Sequence, residues 1–245
     1  MDSFSSVLAE TQCAYSTGMF QNDQLGEHNM FTVVSEMNAA CFHEASHAVA
    51  MYAFGISLSK IGVSATYSVD GAGGSFVSYA GEVRPISRAG RTSCYIDYPY
   101  RPLHFRRGVT SAVGPAGERR FRLERGIPLR MLGATEGDHG SISTIGKCLG
   151  ARGRNRFAFQ RLVWRAAQRI VALEDVWSAI SEVAEELSYA TAGTEDESNA
   201  NGTVWGLVEP ADVYRICRRN GVRRGAFLRT GRPTDLRIFI TEVAA

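Results

Sequence analysis

The chain has few features that would place it in a membrane or outside the cell. Among its 245 residues, no apolar run reaches the roughly 18–20 residues that span a bilayer. Its first residues, MDSFSSVLAETQCAYS, contain no basic segment followed by an apolar core, so they are not typical of a secretory signal. The hydrophobic fraction of 44% and the charged fraction of 21% are those of an ordinary globular protein. These absences predict a cytoplasmic protein with no membrane partner.

Cysteine and lysine are also scarce. The five cysteines are scattered and form no CxxC pair, so we expect reduced, mostly buried thiols and neither a disulfide framework nor a cysteine zinc knuckle. Lys60 and Lys147 are the only lysines, and arginine supplies the other basic charges. Arginines within 218–232 raise the hypothesis of nucleic-acid association. A net charge of only +2 favours a solvated basic tail instead, and a nucleic-acid partner is not expected.

Hydrophobic periodicity predicts a mainly α protein with a small β-sheet, an α+β fold. Apolar residues recur at helical spacing in five stretches, which are 33–54, 102–121, 141–149, 156–190 and 204–220. Two stretches have the composition of strands, 56–65 and 75–79, and the glycine-rich turn 67–74 separates them. We therefore expect a compact domain over 33–215, a weakly ordered arm over 1–32 and a basic tail over 216–245 that ends in a strand-like segment at 236–243.

The strongest chemical signal is the HExxH motif formed by His43, Glu44 and His47. Two histidines four residues apart on a helix project from the same face, so both imidazoles can reach one metal ion. A glutamate that follows the first ligand lies beside a metal-activated water and can act as its base. The flanking residues are small and apolar, which places the motif on a buried helix. The motif predicts a Zn²⁺ site with Glu44 as the catalytic base.

A zinc site of this kind needs a third protein ligand and an open position for water. No histidine or glutamate follows the motif at the close spacing used by families that place the third ligand nearby. The segment 133–140 is the richest in ligand side chains, since it contains Glu136, Asp138 and His139. The residues alone leave these three open, and Asp138 has the alternative role of capping a helix that begins near Ser141.

Three segments, in the same order, resemble the peptidase domain of the FtsH-type AAA+ zinc proteases. His43-Glu44-Ala45-Ser46-His47 resembles the family's HEAGH helix, and 113–119 resembles its small-residue G-x-x-A-E-E helix. The stretch 133–138 resembles the G-A-x-x-D segment that carries the family's third zinc ligand. The resemblance covers about 33–215 and implies a zincin-like helical peptidase domain.

Carried over by position, the resemblance implies that His43, His47 and Asp138 hold the zinc ion. It also implies that Glu118 orients a ligand histidine. Two departures concern the site. Ser46 stands where the family has glycine, and one extra residue precedes Asp138, which keeps Glu136 and His139 as competing third ligands.

A further departure is the absence of a GxxxxGK[ST] phosphate-binding loop from this sequence. The resemblance therefore implies an ATP-independent zinc metalloendopeptidase whose partners are peptides or unfolded proteins, with a separate unfoldase or regulatory protein as a further candidate. Residues 75–79 could offer an edge strand to an extended substrate, or form a simple structural hairpin. The alternative function is a catalytically silent metallopeptidase-fold module that binds or regulates a partner. Oligomeric state is left open.

Overall fold

The computed structural model describes residues 13–14, 27–69, 75–86, 101–129, 136–148, 154–192 and 203–228. Within these ranges the chain is mainly helical with a small antiparallel sheet, which confirms the predicted α+β class. The helices are α1 (Glu27–Ala53), α2 (Arg101–Arg125), α3 (Glu136–Cys148), α4 (Arg154–Ala172), α5 (Glu174–Ala192) and α6 (Pro210–Arg219). The strands are β1 (Cys13–Ala14), β2 (Leu58–Val69), β3 (Ser75–Pro85) and β4 (Thr203–Val208), and a 3-10 turn follows at Ala226–Leu228.

The sheet has the order β1-β3-β2-β4, and each neighbouring pair is antiparallel. Alternation along β2 turns Ile61, Val63 and Ala65 towards the core, where they are buried. Their partners across β3 are Val83, Gly81 and Tyr79, and those across β4 are Val208, Gly206 and Val204. Two of these inward positions are therefore glycines, which lets helices approach the sheet closely.

Helix α1 is the centre of the packing, because it contacts α2, α5, α6, β2 and β3. Its buried positions include Ala40, Ala45, Ala48 and Ala53, and small side chains allow the neighbouring helices to come close on several sides. Helix α2 approaches it with Gly114 and Gly117, where a Cβ atom would meet His43 and His47, and Ser46, respectively. The HExxH motif therefore lies on a buried helix, as its apolar flanks predict.

The helix predicted at 156–190 is two helices, with a break at Leu173. Glu174 and Asp175 occupy the first turn of α5, where negative charge is stabilised by the helix dipole. The Asp175 carboxylate also accepts a hydrogen bond of 2.9 Å from the backbone N–H of Val176. The apolar period continues across the break, which explains why periodicity alone predicted one helix.

The prediction of a helix from 204 onwards is wrong for 204–208, which form β4. Val204, Gly206 and Val208 are buried while Trp205 and Leu207 are exposed, and this alternation has the period of a strand. The remaining stretch does form a helix, α6.

Two other differences bear on the site. Strand β3 continues to Pro85, beyond the strand predicted at 75–79, and 75–79 pair with β2 along their whole length. Helix α3 begins at Glu136 rather than near Ser141, so Asp138 lies inside its first turn and does not cap a later helix.

The predicted domain limits fall inside helices. The boundary at 32/33 lies within α1, and the boundary at 215/216 lies within α6, whose Cys217 is buried in the core together with Val222. The predicted strand at 236–243 lies outside the described residues. The division into arm, domain and tail stays a prediction.

Two further sequence predictions concern the thiols and the membrane. Cys41 and Cys217 are free and buried, and burial raises the pKa of each thiol to about 12. The side chains of Cys13, Cys94 and Cys148 lie outside the described residues. In the described ranges, none of the helices has the length and apolarity required to cross a bilayer.

Candidate metal centre

Three buried side chains, His43, His47 and Asp138, converge between α1 and α3. The Asp138 Oδ2 atom lies 3.0 Å from His43 Nε2 and 3.3 Å from His47 Nε2. Two ligand atoms bound to one zinc ion at about 2.0–2.1 Å and a tetrahedral angle would be about 3.3 Å apart. One ligand atom from each residue lies within 4.8 Å of the others, and this group could hold a metal ion.

A glycine on α2 leaves space at the point where the two imidazoles meet. A Cβ atom at Gly114 would lie 2.6 Å from His43 Nε2 and closer still to His47 Nε2. That position is close to where an ion bound by both nitrogens would have to be. The residues therefore fit a metal ion: two nitrogen donors and one carboxylate oxygen lie close together, and a larger residue at position 114 would press against both nitrogens.

The other nitrogen of each ring is held by α2. His43 Nδ1 donates to Glu118 Oε2 at 3.1 Å, and His47 Nδ1 donates to the backbone oxygen of Thr110 at 2.7 Å. A proton fixed on Nδ1 leaves Nε2 as the metal-binding atom of each histidine, and it also fixes the orientation of both rings. Glu118 thus contacts a predicted ligand histidine, as the resemblance implied.

Glu118 is itself held by a buried arginine, Arg122, that no sequence motif indicated. Arg122 Nε donates to Glu118 Oε1 at 2.8 Å, and its Nη1 and Nη2 atoms donate to the two carboxylate oxygens of Glu36 at 2.9 and 2.6 Å. Burial by itself would raise the pKa of the Glu118 carboxyl. The hydrogen bonds and charge interactions with His43 and Arg122 lower it by more, so the pKa lies below its ordinary value. The i,i+4 spacing of Glu118 and Arg122 on α2 was a signal that could have found the pair.

Asp138 is ionised for a similar reason. Burial works to raise the pKa of its carboxyl, since it is 1% exposed. The interaction with His47 and the hydrogen bonds to both histidines act against burial and hold the pKa well below its ordinary value. The negative charge that a cationic ligand site needs is therefore present.

Glu44 is 2% exposed, and its carboxylate lies against β3. A Cβ atom at Gly81 would overlap the carboxylate, so the space that Gly81 leaves free is filled by Glu44. This contact could not be predicted, because the strand predicted at 75–79 ends before Gly81.

Glu136 and His139 are the two competing candidates for the third ligand. The side chain of Glu136 lies outside the described residues. His139 packs beside Trp164, with ring centroids 5.0 Å apart, and lines a cavity of about 610 Å³ between α3 and α4. Among the described side chains, it is Asp138 that joins His43 and His47.

The serine that departs from the family pattern is accommodated by a glycine on the facing helix. Ser46 Oγ donates to the backbone oxygen of Phe42 at 2.7 Å. A Cβ atom at Gly117 would collide with Ser46, so the small residue on α2 makes room for the larger one on α1. The departure therefore leaves the close packing of α1 against α2 intact.

Replacing Glu118 by glutamine is expected to lower the zinc affinity about 10–100-fold, the usual effect of losing a partner that orients a ligand. The reason is that a neutral amide stabilises the Nδ1–H of His43 less than a carboxylate does. The zinc affinity of the variant would be measured by competition with a chromophoric chelator. Glu124→Gln is the matched control, because Glu124 lies on the same helix but is exposed and pairs with Arg120. Equal affinities in the two variants would show that Glu118 has no such role.

No protein-family model, curated protein or solved structure gives a significant match to this chain. The resemblance to the FtsH-type peptidase domain therefore rests on the sequence motifs and stays a prediction.

Proposed function

We propose that this chain is a zinc-dependent metallopeptidase that hydrolyses peptide bonds with an activated water molecule. One observation carries the proposal: the ligand atoms of His43, His47 and Asp138 converge, Gly114 leaves space beside both Nε2 atoms, and a buried glutamate follows the first histidine. The ligand set of two imidazole nitrogens and one carboxylate oxygen suits zinc. Three protein ligands leave a further position for water or substrate, as catalytic zinc sites require.

Each residue then has a separate task. The zinc ion, when bound, lowers the pKa of a water molecule towards about 7 and polarises the scissile carbonyl group. Glu44 accepts a proton from the attacking water and returns it to the departing amine nitrogen. Glu118 and the Thr110 carbonyl hold the rings of His43 and His47, so that their Nε2 atoms keep facing Asp138.

We infer peptides or unfolded proteins as substrates, cleaved without ATP, and a separate unfoldase or regulatory protein as a further partner. Nucleic acid is a poor candidate, because the net charge is only +2. Among the arginines within 218–232, Arg219 contacts Glu182 at 2.5 Å. A cytoplasmic location stays a prediction from the sequence.

The test compares the wild-type protein with Glu44→Gln. We expect about one zinc ion per chain in both, because Glu44 is not among the ligands. Cleavage of a mixture of unfolded fluorogenic peptides should fall about 10²–10⁴-fold in the variant, the usual contribution of a general base. Elemental analysis and the cleavage rate are the two measurements.

Glu185→Gln serves as the control, since Glu185 is exposed on α5. If Glu44→Gln cleaves as fast as the wild type, the assigned base is wrong. If the zinc-loaded wild type cleaves nothing, the protein is the catalytically silent module that binds or regulates a partner.

A further inference from the structure

The chain's own N-terminal segment pairs with the sheet beside the candidate site. Strand β1 is the terminal strand of the described sheet and runs antiparallel to β3, with Cys13 opposite Gly81 and Ala14 opposite Ala80. Along the other side of β3, the pairing with β2 is continuous from Lys60 to Val69. The remaining edge of β3 is therefore where β1 adds.

This pairing position adjoins the catalytic machinery on two sides. Gly81, opposite Cys13, is the residue whose missing Cβ leaves room for the Glu44 carboxylate. Strand β1 also contacts α3, the helix that supplies Asp138. An extended segment at this edge therefore pairs with the residue that contacts the proposed base and lies against the helix that carries the proposed third ligand.

A peptide that paired with β3 would use the same edge, because β2 covers the other side of the strand. Antiparallel addition to a strand uses main-chain N–H and C=O groups, so it accepts many sequences, and one occupant excludes another. A segment tethered to the same chain competes at an effective concentration of about millimolar. Within the described residues the pairing joins Cys13 and Ala14 to β3, and we expect so short a pairing to be displaceable.

Building on the proposed function, we infer that the segment containing Cys13 and Ala14 occupies the peptide-binding edge of β3 in cis and inhibits the enzyme until it is displaced. The segment acts through its main chain, as a strand that pairs with Ala80 and Gly81. The apparent affinity for peptide falls in proportion to the fraction of molecules whose β3 edge is free of the segment. Releasing the segment restores that affinity and leaves the metal ligands untouched.

The test uses the full-length chain with both strand residues replaced by proline, Cys13→Pro/Ala14→Pro. Proline has no N–H to donate, so the double change removes the pairing whichever residue faces β3. Cys13→Ala/Ala14→Ser is the matched control, because it changes both side chains and keeps both N–H groups. Two residues at the sheet edge are altered, and the zinc content and helix content of each variant check the site and the fold.

Binding is measured first, in the Glu44→Gln background, where a peptide is bound without being cleaved. Fluorescence anisotropy of a labelled unfolded peptide should show about threefold to thirtyfold tighter binding in the proline variant than in the control. A synthetic peptide of residues 8–19 should compete with the labelled peptide for the proline variant. In the Glu44-containing protein, kcat/KM should rise by the same factor, mainly through a lower KM.

The results separate this inference from the proposed function. Equal peptide affinity in the proline and control variants overturns the inference and leaves the peptidase proposal standing. Equal tightening in the two variants also overturns it, because the side chains would then be responsible. If the proline variant binds peptide more tightly but no zinc-loaded variant cleaves peptide, cis occupancy is supported and the peptidase proposal fails.

Discussion

Gly114→Ala is expected to abolish zinc binding while the chain stays folded. The added methyl carbon would lie 2.6 Å from His43 Nε2 and closer to His47 Nε2, in the space where an ion bound by both nitrogens must lie. The methyl group and the ion therefore exclude each other. Alanine is otherwise favoured over glycine inside a helix by about 1 kcal/mol, which offsets part of the cost of moving the two rings.

Elemental analysis after dialysis should find about one zinc ion per chain in the wild type and none in Gly114→Ala. Circular dichroism should show unchanged helix content in the variant without added metal. Peptide cleavage should disappear together with the zinc. Gly140→Ala is the control, because Gly140 is also helical and its added Cβ meets no heavy atom within 4 Å. A Gly114→Ala protein that keeps one zinc ion per chain would show that the ion is not held where the two Nε2 atoms converge.

Asp138→Ala is expected to reduce zinc affinity by more than the roughly 10–100-fold that an orienting residue contributes. Asp138 is buried, and its lowered pKa makes it the negative charge among the three ligands. Without it, an ion would be bound by two neutral imidazoles in a buried site, where its charge is poorly compensated. Zinc content and chelator competition are again the measurements.

Two further variants test the competing third ligands. Glu136→Ala and His139→Ala should keep about one zinc ion per chain, since His139 packs against Trp164 and lines a separate cavity. Full zinc occupancy in Asp138→Ala, with loss in either of the other two, would move the third ligand to Glu136 or His139.

The two histidines and the base of the candidate site were predictable because they lie within one turn of one helix. Positions four apart share a face wherever the chain is helical, and the apolar flanks of the motif already indicated burial. The structure places His43 and His47 on one face of the helix, as that rule requires, and Glu44 is buried as well. Local geometry is sufficient for this part of the site.

The third ligand could not be chosen from the residues alone. Glu136, Asp138 and His139 are close in sequence, and helix α3 points neighbouring side chains in different directions. Which one faces α1 depends on where α3 begins and how it packs. The helix begins five residues earlier than predicted, and this start places Asp138 on a helical face instead of in a loop.

Contacts made by backbone atoms, and spaces left by glycines, were even harder to predict from the sequence. The Thr110 carbonyl that orients His47, and the spaces left by Gly81 and Gly114, depend on which main-chain segments meet. A carbonyl group is present in every residue, and glycine serves many purposes in helices and strands. The sequence by itself determined the α+β class, the buried α1 helix and the paired histidines, because short-range periodicity specifies each of them. Only the tertiary structure decided the ligand set around the two histidines, the contacts of Glu118 with His43 and of Arg122 with Glu36, and the strand beside Glu44, because these contacts join segments far apart in the chain.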